Sequence, residues 1–118
     1  MAFIISKKTK RRGKEFLFYY FVENYREGNK IKRGTIFKLR LSPSLYDYLG
    51  VLKKREAWFL SILAYDAKKL KELMERGKLH PDSIYINRGI ERLGKKVQSI
   101  KTTLEECKQI QEKVRSYL

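Results

Sequence analysis

The amino-acid sequence predicts an α+β fold, in which an N-terminal three-stranded antiparallel β-meander precedes a long antiparallel two-helix hairpin with heptad character. The hydrophobic pattern changes at Ser42-Pro43 from strand-like alternation to helical spacing. Short glycine-containing segments separate the apolar stretches before this point. With 118 residues, of which 42% are hydrophobic, the chain can build the core of one small domain.

Three strands are expected in the first part of the chain, at about residues 3–10, 15–25 and 31–41. A turn at Arg12-Gly13 closes the first hairpin, and Glu27-Gly28-Asn29 forms the glycine-bearing loop of the second. Because consecutive strands joined by short turns pair antiparallel, the second strand lies in the middle of the sheet.

The central strand contains seven consecutive apolar or aromatic residues, Phe16 to Val22, within the most cationic part of the chain. A strand with a neighbour at each edge can carry apolar residues on both faces. We expect one face to pack internally and the other to present aromatic side chains, including Tyr19 and Tyr20, among cations from the edge strands. The alternative is that both faces are buried, one by the helices and one by a second copy of the chain.

Two helices of nearly equal length are expected, at about residues 43–76 and 84–118. Ser42 and Ser44 are rival N-caps for the first helix, since Ser44 has Asp47 three residues later and can form a capping box. Gly77 is expected to end this helix. The second helix is expected to begin near Asp82-Ser83 or Asn87.

The last helix has a heptad pattern, with spacings that alternate between four and three residues. Its members are Ile86, Ile90, Leu93, Val97, Ile100, Leu104, Cys107, Gln111, Val114 and Leu118. Equal helix lengths and a short loop favour an intrachain antiparallel hairpin, and a parallel dimeric coiled coil is the competing use of the same residues. We expect a basic sheet, residues 1–41, and a helical hairpin, residues 42–118, that form one compact unit.

The formal net charge of +15 is concentrated in the first third of the chain. Residues 1–41 carry +9, whereas residues 42–78 and 79–118 carry +3 each. Such an excess indicates a polyanionic partner, either nucleic acid or an acidic membrane surface. The charged surfaces of thermophile proteins are the alternative explanation, but they predict balanced charge.

Nothing in the sequence indicates an enzyme, a metal site or a cofactor. His80, the single histidine, lies in a loop without partner ligands nearby, and Cys107, the single cysteine, occupies a heptad core position. We therefore expect no catalytic residue, no metal, no cofactor and no small-molecule substrate. No apolar run approaches the ~18 residues of a membrane span, and the charge order at the N-terminus does not fit a signal peptide. These features favour a cytoplasmic, reduced location and no membrane partner.

The segment from Gly13 to Lys30, with Arg33, Gly34 and Thr35, resembles the N-terminal segment of insertion-element transposases. It is similar more distantly to the three-stranded sheet with which tyrosine recombinases grip DNA. The resemblance covers about 30 of the 118 residues, and the catalytic residues of these enzymes have no counterpart here. It implies a mode of binding, with a sheet face on the duplex, through Lys14, Tyr20, Tyr25, Arg26, Lys30 and Arg33.

We therefore expect a non-enzymatic protein that binds double-stranded DNA through its N-terminal sheet, with the helical hairpin as scaffold and dimerisation element. The candidate binding residues are Lys7, Lys8, Lys10, Arg11, Arg12, Lys14, Tyr20, Tyr25, Arg26, Lys30, Lys32, Arg33, Lys38 and Arg40. A homodimer would form through the helices or the sheet. The composition would suit a mobile element, a virus or the nucleoid of a thermophile.

Two other functions remain open at this point. One is a structural or assembly protein, such as a virion or mobile-element component, that acts by oligomerisation. The other is a protein that binds single-stranded DNA or RNA, because aromatic side chains among cations suit base stacking.

Overall fold

A computed structural model describes all 118 residues, Met1–Leu118, and confirms the predicted α+β class. Three strands and two helices follow one another along the chain: β1 (Ala2–Arg11), β2 (Lys14–Glu27), β3 (Lys30–Arg40), α1 (Leu45–Leu79) and α2 (Ile84–Tyr117). The chain divides into two compact units, Met1–Val51 with Leu118, and Leu52–Tyr117. The first unit thus contains the sheet and the first two turns of α1.

The sheet is the predicted meander, in the order β1-β2-β3 with both pairs antiparallel. The hairpin between β1 and β2 turns on Arg12 and Gly13, whose φ angles are 51° and 76°. Two successive positive φ values are the mark of a type I′ turn, whose twist matches the twist of the paired strands. The hairpin between β2 and β3 has Gly28 at φ 64° in its first turn position, as a type II′ turn requires.

The core of the first unit forms around the middle of β2. Phe21 stacks on Phe37 of β3 with ring centroids 6.0 Å apart, and Phe37 in turn contacts Tyr48 of α1 at 6.0 Å. Val22, the next residue of β2, is also buried, although adjacent strand residues point to opposite faces. The middle of the central strand is therefore buried on both faces at Phe21 and Val22, where the sequence predicted that only one face would be buried.

The first helix begins with Ser44 as its N-cap, which decides between the two predicted caps. The Ser44 Oγ accepts a hydrogen bond from the Asp47 N–H at 3.1 Å and donates to the Asp47 carboxylate at 2.9 Å. The predicted end at Gly77 is wrong, because α1 continues to Leu79. Gly77 instead allows α1 and α2 to approach closely, since a Cβ there would lie 3.1 Å from Ile90 Cδ1.

The heptad residues of α2 pack against α1 within the same chain, as an antiparallel hairpin. Six of the ten predicted heptad positions are buried, namely Val97, Ile100, Leu104, Cys107, Gln111 and Val114. The Cys107 thiol donates to the Leu52 carbonyl at 3.4 Å, and the Gln111 amide donates to the Glu56 carboxylate at 2.8 Å. The second helix begins after Ser83, whose Oγ accepts from the Ile86 N–H. Neither helix contains a segment apolar enough to cross a membrane.

Two glycines of α2 differ in what surrounds them, and this difference predicts unequal changes in stability when each is replaced by alanine. A Cβ at Gly94 would meet no atom within 4 Å, whereas one at Gly89 would lie 2.9 Å from Leu73 Cδ2. We expect Gly94→Ala to raise the free energy of unfolding by about 1 kcal/mol, the helix-propensity difference. Gly89→Ala should raise the free energy of unfolding by less, because the Leu73 side chain must move to make room for the added methyl group. Urea denaturation followed by circular dichroism checks the pair, and equal gains would contradict the close contact at Gly89.

Candidate nucleic-acid interface

The register of the strands assigns every sheet residue to one of two faces. Residues paired across antiparallel strands share a face, and successive residues alternate. We call the face that holds the even-numbered residues of β2 the cationic face, and the other the mixed face. The cations of the cationic face are Lys7 and Arg11 of β1, Lys14 and Arg26 of β2, and Arg33 and Lys38 of β3.

Carboxylates are absent from the cationic face of the sheet. All three glutamates of the strands, Glu15, Glu23 and Glu27, occupy odd positions of β2 and lie on the mixed face. Two of them form ion pairs there, Glu15 with Lys10 at 3.8 Å and Glu27 with Lys32 at 2.6 Å. Lys8 and Lys30 are the other lysines on that face. The positive charge of the sheet is therefore unbalanced on one face and largely compensated on the other.

Three cations of the cationic face lie over aromatic rings of the same face. The Lys7 ammonium is 5.3 Å from the Tyr20 ring centroid, and the Arg11 guanidinium is 5.8 Å from that of Phe18. Arg33 lies 5.4 Å from the Phe3 ring. These cation–π contacts order the cations before a ligand arrives. Apolar residues among lysines and arginines are thus physically compatible, because the rings support the cationic side chains.

A groove crosses the cationic face near the turn of the first hairpin. It is lined by Thr9, Arg11, Phe18, Tyr20, Lys38 and Arg40. A second hollow, lined by Arg11, Arg12, Lys14 and Phe16, adjoins it at the turn itself. Every one of these cations is exposed, and Phe16 is 37% exposed. This end of the sheet therefore brings five exposed cations together, namely Arg11, Arg12, Lys14, Lys38 and Arg40.

The first hairpin extends beyond β3 as a two-stranded ribbon. The pairing of β2 with β3 stops at Tyr19 and Arg40, so residues 14–18 of β2 pair only with β1. At ~3.3 Å per residue these five residues project about 15 Å. The major groove of B-DNA admits a two-stranded ribbon and is about 8.5 Å deep. The ribbon has the dimensions to enter it.

The structure separates the predicted binding residues into two groups. Those on the cationic face or lining its groove are Lys7, Arg11, Lys14, Tyr20, Arg26, Arg33, Lys38 and Arg40. Those on the mixed face are Lys8, Lys10, Tyr25, Lys30 and Lys32. Arg12 stands at the turn between them. Tyr25 packs beside Gly34, whose added Cβ would meet the Tyr25 ring at 3.2 Å. Tyr19 and Tyr20, predicted together, lie on opposite faces.

Three further residues, Phe3, Thr9 and Phe18, belong to the same surface, although no sequence pattern singled them out. Phe3 and Phe18 support Arg33 and Arg11, and Thr9 lines the groove. The even positions of β2 would have identified Phe18, because Lys14 and Tyr20 share its parity. To place Phe3 on this face, the register between β1 and β2 has to be known. The sequence gives that register only when the turn type of the hairpin is known as well.

The residues considered for catalysis or metal binding belong to the second unit, Leu52–Tyr117. His80 is exposed after the end of α1, and Cys107 is buried in the helical hairpin. No group of three or more His, Cys, Asp or Glu residues is arranged to hold a metal ion.

Comparison of the chain with protein-family models, with curated proteins and with solved structures finds no match in any of the three. The resemblance to transposase and recombinase segments therefore stays a prediction.

The turn of the first hairpin offers a direct test of the site. Arg12 holds a left-handed conformation that costs an ordinary residue roughly 1–2 kcal/mol, whereas Asn followed by Gly is the preferred pair in a type I′ turn. Arg12→Asn should therefore raise the free energy of unfolding by about 0.5–1 kcal/mol while it weakens DNA binding. Arg12→Gln is the control, because it removes the charge and keeps the strain. Thermal unfolding and filter binding measure both effects. Unchanged DNA affinity in both variants would exclude the turn from the interface.

Proposed function

We propose that this protein is a non-enzymatic DNA-binding protein that holds duplex DNA against the cationic face of its N-terminal sheet. The observation that carries the proposal is the segregation of charge: the strand cations of one face have no carboxylate beside them, and all strand carboxylates lie on the other. A fold that needed these cations only for solubility would gain nothing from this separation. The separation strengthens the binding of a polyanion directly, because each phosphate contact releases condensed counterions.

In the proposed complex, the ribbon of the first hairpin enters the major groove and the rest of the cationic face contacts the flanking phosphates. Arg11, Arg12 and Lys14 stand nearest the turn and are placed to reach base edges or phosphates in the groove. Lys38 and Arg40, on the neighbouring strand, are placed to contact one phosphate backbone. The helical hairpin serves as the scaffold of the sheet. This function belongs inside the cell, and we propose a cytoplasmic location.

Single-stranded nucleic acid is the second candidate ligand, and the exposure of Phe16 favours it. This ring lies beside three cations in the hollow at the turn, so an unpaired base could stack on it while the cations hold its phosphates. Such stacking contributes about 1–3 kcal/mol per base. Phe16→Leu separates the two candidates, because it should weaken binding of a single-stranded oligonucleotide and leave duplex binding almost unchanged.

Two sets of four substitutions with equal charge change test the proposal. The cationic set replaces Lys7, Arg11, Lys14 and Lys38 with Gln, and the mixed set replaces Lys8, Lys10, Lys30 and Lys32 with Gln. We expect the cationic set to reduce the slope of log affinity against log salt by about 0.9 per lost phosphate contact, or about 3.6 for four. The mixed set should change it far less.

The measurement is filter binding of a duplex at several salt concentrations, with circular dichroism to verify that each protein is folded. Because both sets lower the net charge by four, a purely charge-driven association predicts equal losses. Equal losses, or a larger loss in the mixed set, would refute the cationic face as the site.

A further inference from the structure

The middle of the helical hairpin is almost free of charge, in a chain in which 35% of residues are charged. Residues 57–65 of α1 contain no charged side chain, and residues 97–104 of α2 contain only Lys101. The ion pair of Asp66 with Lys96 joins the two helices at one end of both segments. At the other end of the α1 segment, Glu56 contacts Gln111, which lies seven residues beyond the α2 segment. The two segments are therefore side by side, and we call them the uncharged belt.

Three hydroxyl groups of the belt already have hydrogen-bond partners within their own helices. Ser61 donates to the carbonyl of Ala57 at 3.2 Å, Thr102 to that of Gln98 at 3.1 Å, and Thr103 to that of Ser99 at 3.0 Å. Burying a polar group is costly mainly when it loses its hydrogen bond. A partner could therefore cover the belt without leaving these donors unsatisfied.

An apolar groove runs along one side of the hairpin through the belt. Its lining includes Leu60, Ala64, Ala67, Met74 and, from α2, Val97. Leu60, Ala67 and Met74 recur every seven residues, so they form a second apolar stripe beside the one that packs on α2. Leu60 is 46% exposed and Met74 is 50% exposed. The exposed Ala64 and Ala67 make the centre of the stripe shallow, which lets another helix approach closely.

We propose that this groove binds α1 of a second copy of the chain in antiparallel orientation, which joins two hairpins into a four-helix dimer. A stripe that meets its own copy across a two-fold axis is self-complementary, and such closed interfaces are the usual ones in homo-oligomers. With the axis near Ala64, Lys53 of each chain lies opposite Glu75 of the other, and both side chains are exposed in the single chain. The interface is therefore uncharged at its centre and complementary at its ends.

The chemistry of the groove selects a second copy over a nucleic acid or a membrane. A polyanion would need a surface made mainly of unbalanced cations, but the lining of this groove is mainly apolar and places Glu75 among its three lysines. Insertion into lipid would require Lys71, Lys78 and Lys101, which rim the groove, to leave water. Two chains with a net charge of +15 also repel each other, so their association depends on an uncharged contact such as this one. The inference does not rest on the DNA proposal, because all these residues belong to the Leu52–Tyr117 unit.

Sedimentation equilibrium of the full chain tests the proposal, because a dimer has twice the 14.1 kDa mass of the monomer. Ala67→Glu should raise the dimer dissociation constant about 100-fold or more, since it buries two like charges in the centre of the interface. Ala67 is exposed in the single chain, and Glu is a good helix former, so the variant should fold. Circular dichroism verifies this.

Ser99→Glu is the matched control, because Ser99 is exposed, lies in the same belt and does not line the groove. It should leave the dimer intact. Lys53→Glu should weaken the dimer, and Lys53→Glu combined with Glu75→Lys should restore it if the helices are antiparallel. A monomeric wild-type protein, a dimer insensitive to Ala67→Glu, or a dimer broken by Ser99→Glu would each overturn the proposal. A dimer that forms through the sheet would be insensitive to Ala67→Glu and would therefore also overturn the proposal.

Discussion

The alternation of side chains along β2 is the constraint on which the proposed interface depends. A strand sends successive residues to opposite faces, so the parity of a position decides which surface it serves. Glu15, Glu23 and Glu27 share one parity, whereas Lys14, Phe18 and Tyr20 share the other. A one-residue slip of this strand would carry the glutamates into the cationic face and the aromatic supports out of it. The two short turns hold this register in place.

The aromatic residues of the cationic face have two roles that are usually separate. They contribute apolar surface to a small sheet, and they hold the aliphatic and cationic parts of Lys7, Arg11 and Arg33 close to the strands. Ordering long cationic side chains in advance lowers the entropy that binding must remove. The apolar run of the central strand is thus part of the charge arrangement and not an exception to it.

The strands, their order and both hairpin turns could be predicted from the sequence, because period-two patterns and glycine-bearing turns act over a few residues. The helical hairpin followed from the heptad pattern, and its intrachain pairing from the short loop. Gly77 was misjudged because a glycine that ends a helix and one that allows close packing look alike without the neighbouring helix. Tyr19 and Tyr20 were wrongly placed on one face, although adjacent strand residues alternate. The faces of the β3 cations could not be predicted, since two bulges between β2 and β3 shift the register. The separation of charge became visible only when the pairing was known.

The helical hairpin includes polar residues where apolar ones would pack more simply. Asp66 is 3% exposed, and its ion pair with Lys96, at 3.2 Å, compensates the burial of an oxygen that has no hydrogen bond. Gln111 meets Glu56 nearer the other end of the hairpin. Polar pairs in a helical seam are known to fix register at some expense of stability. We infer this role here, since apolar residues alone would allow the helices to slide.

Cys107 lies between these polar contacts, and its thiol is enclosed with the Leu52 carbonyl as acceptor. It is the only sulfhydryl of the chain. A thiol-reactive dye can modify it only when the two helices separate, because the folded hairpin shields the sulfur. The labelling rate of the natural protein therefore reports how often the hairpin opens, and no cysteine has to be introduced.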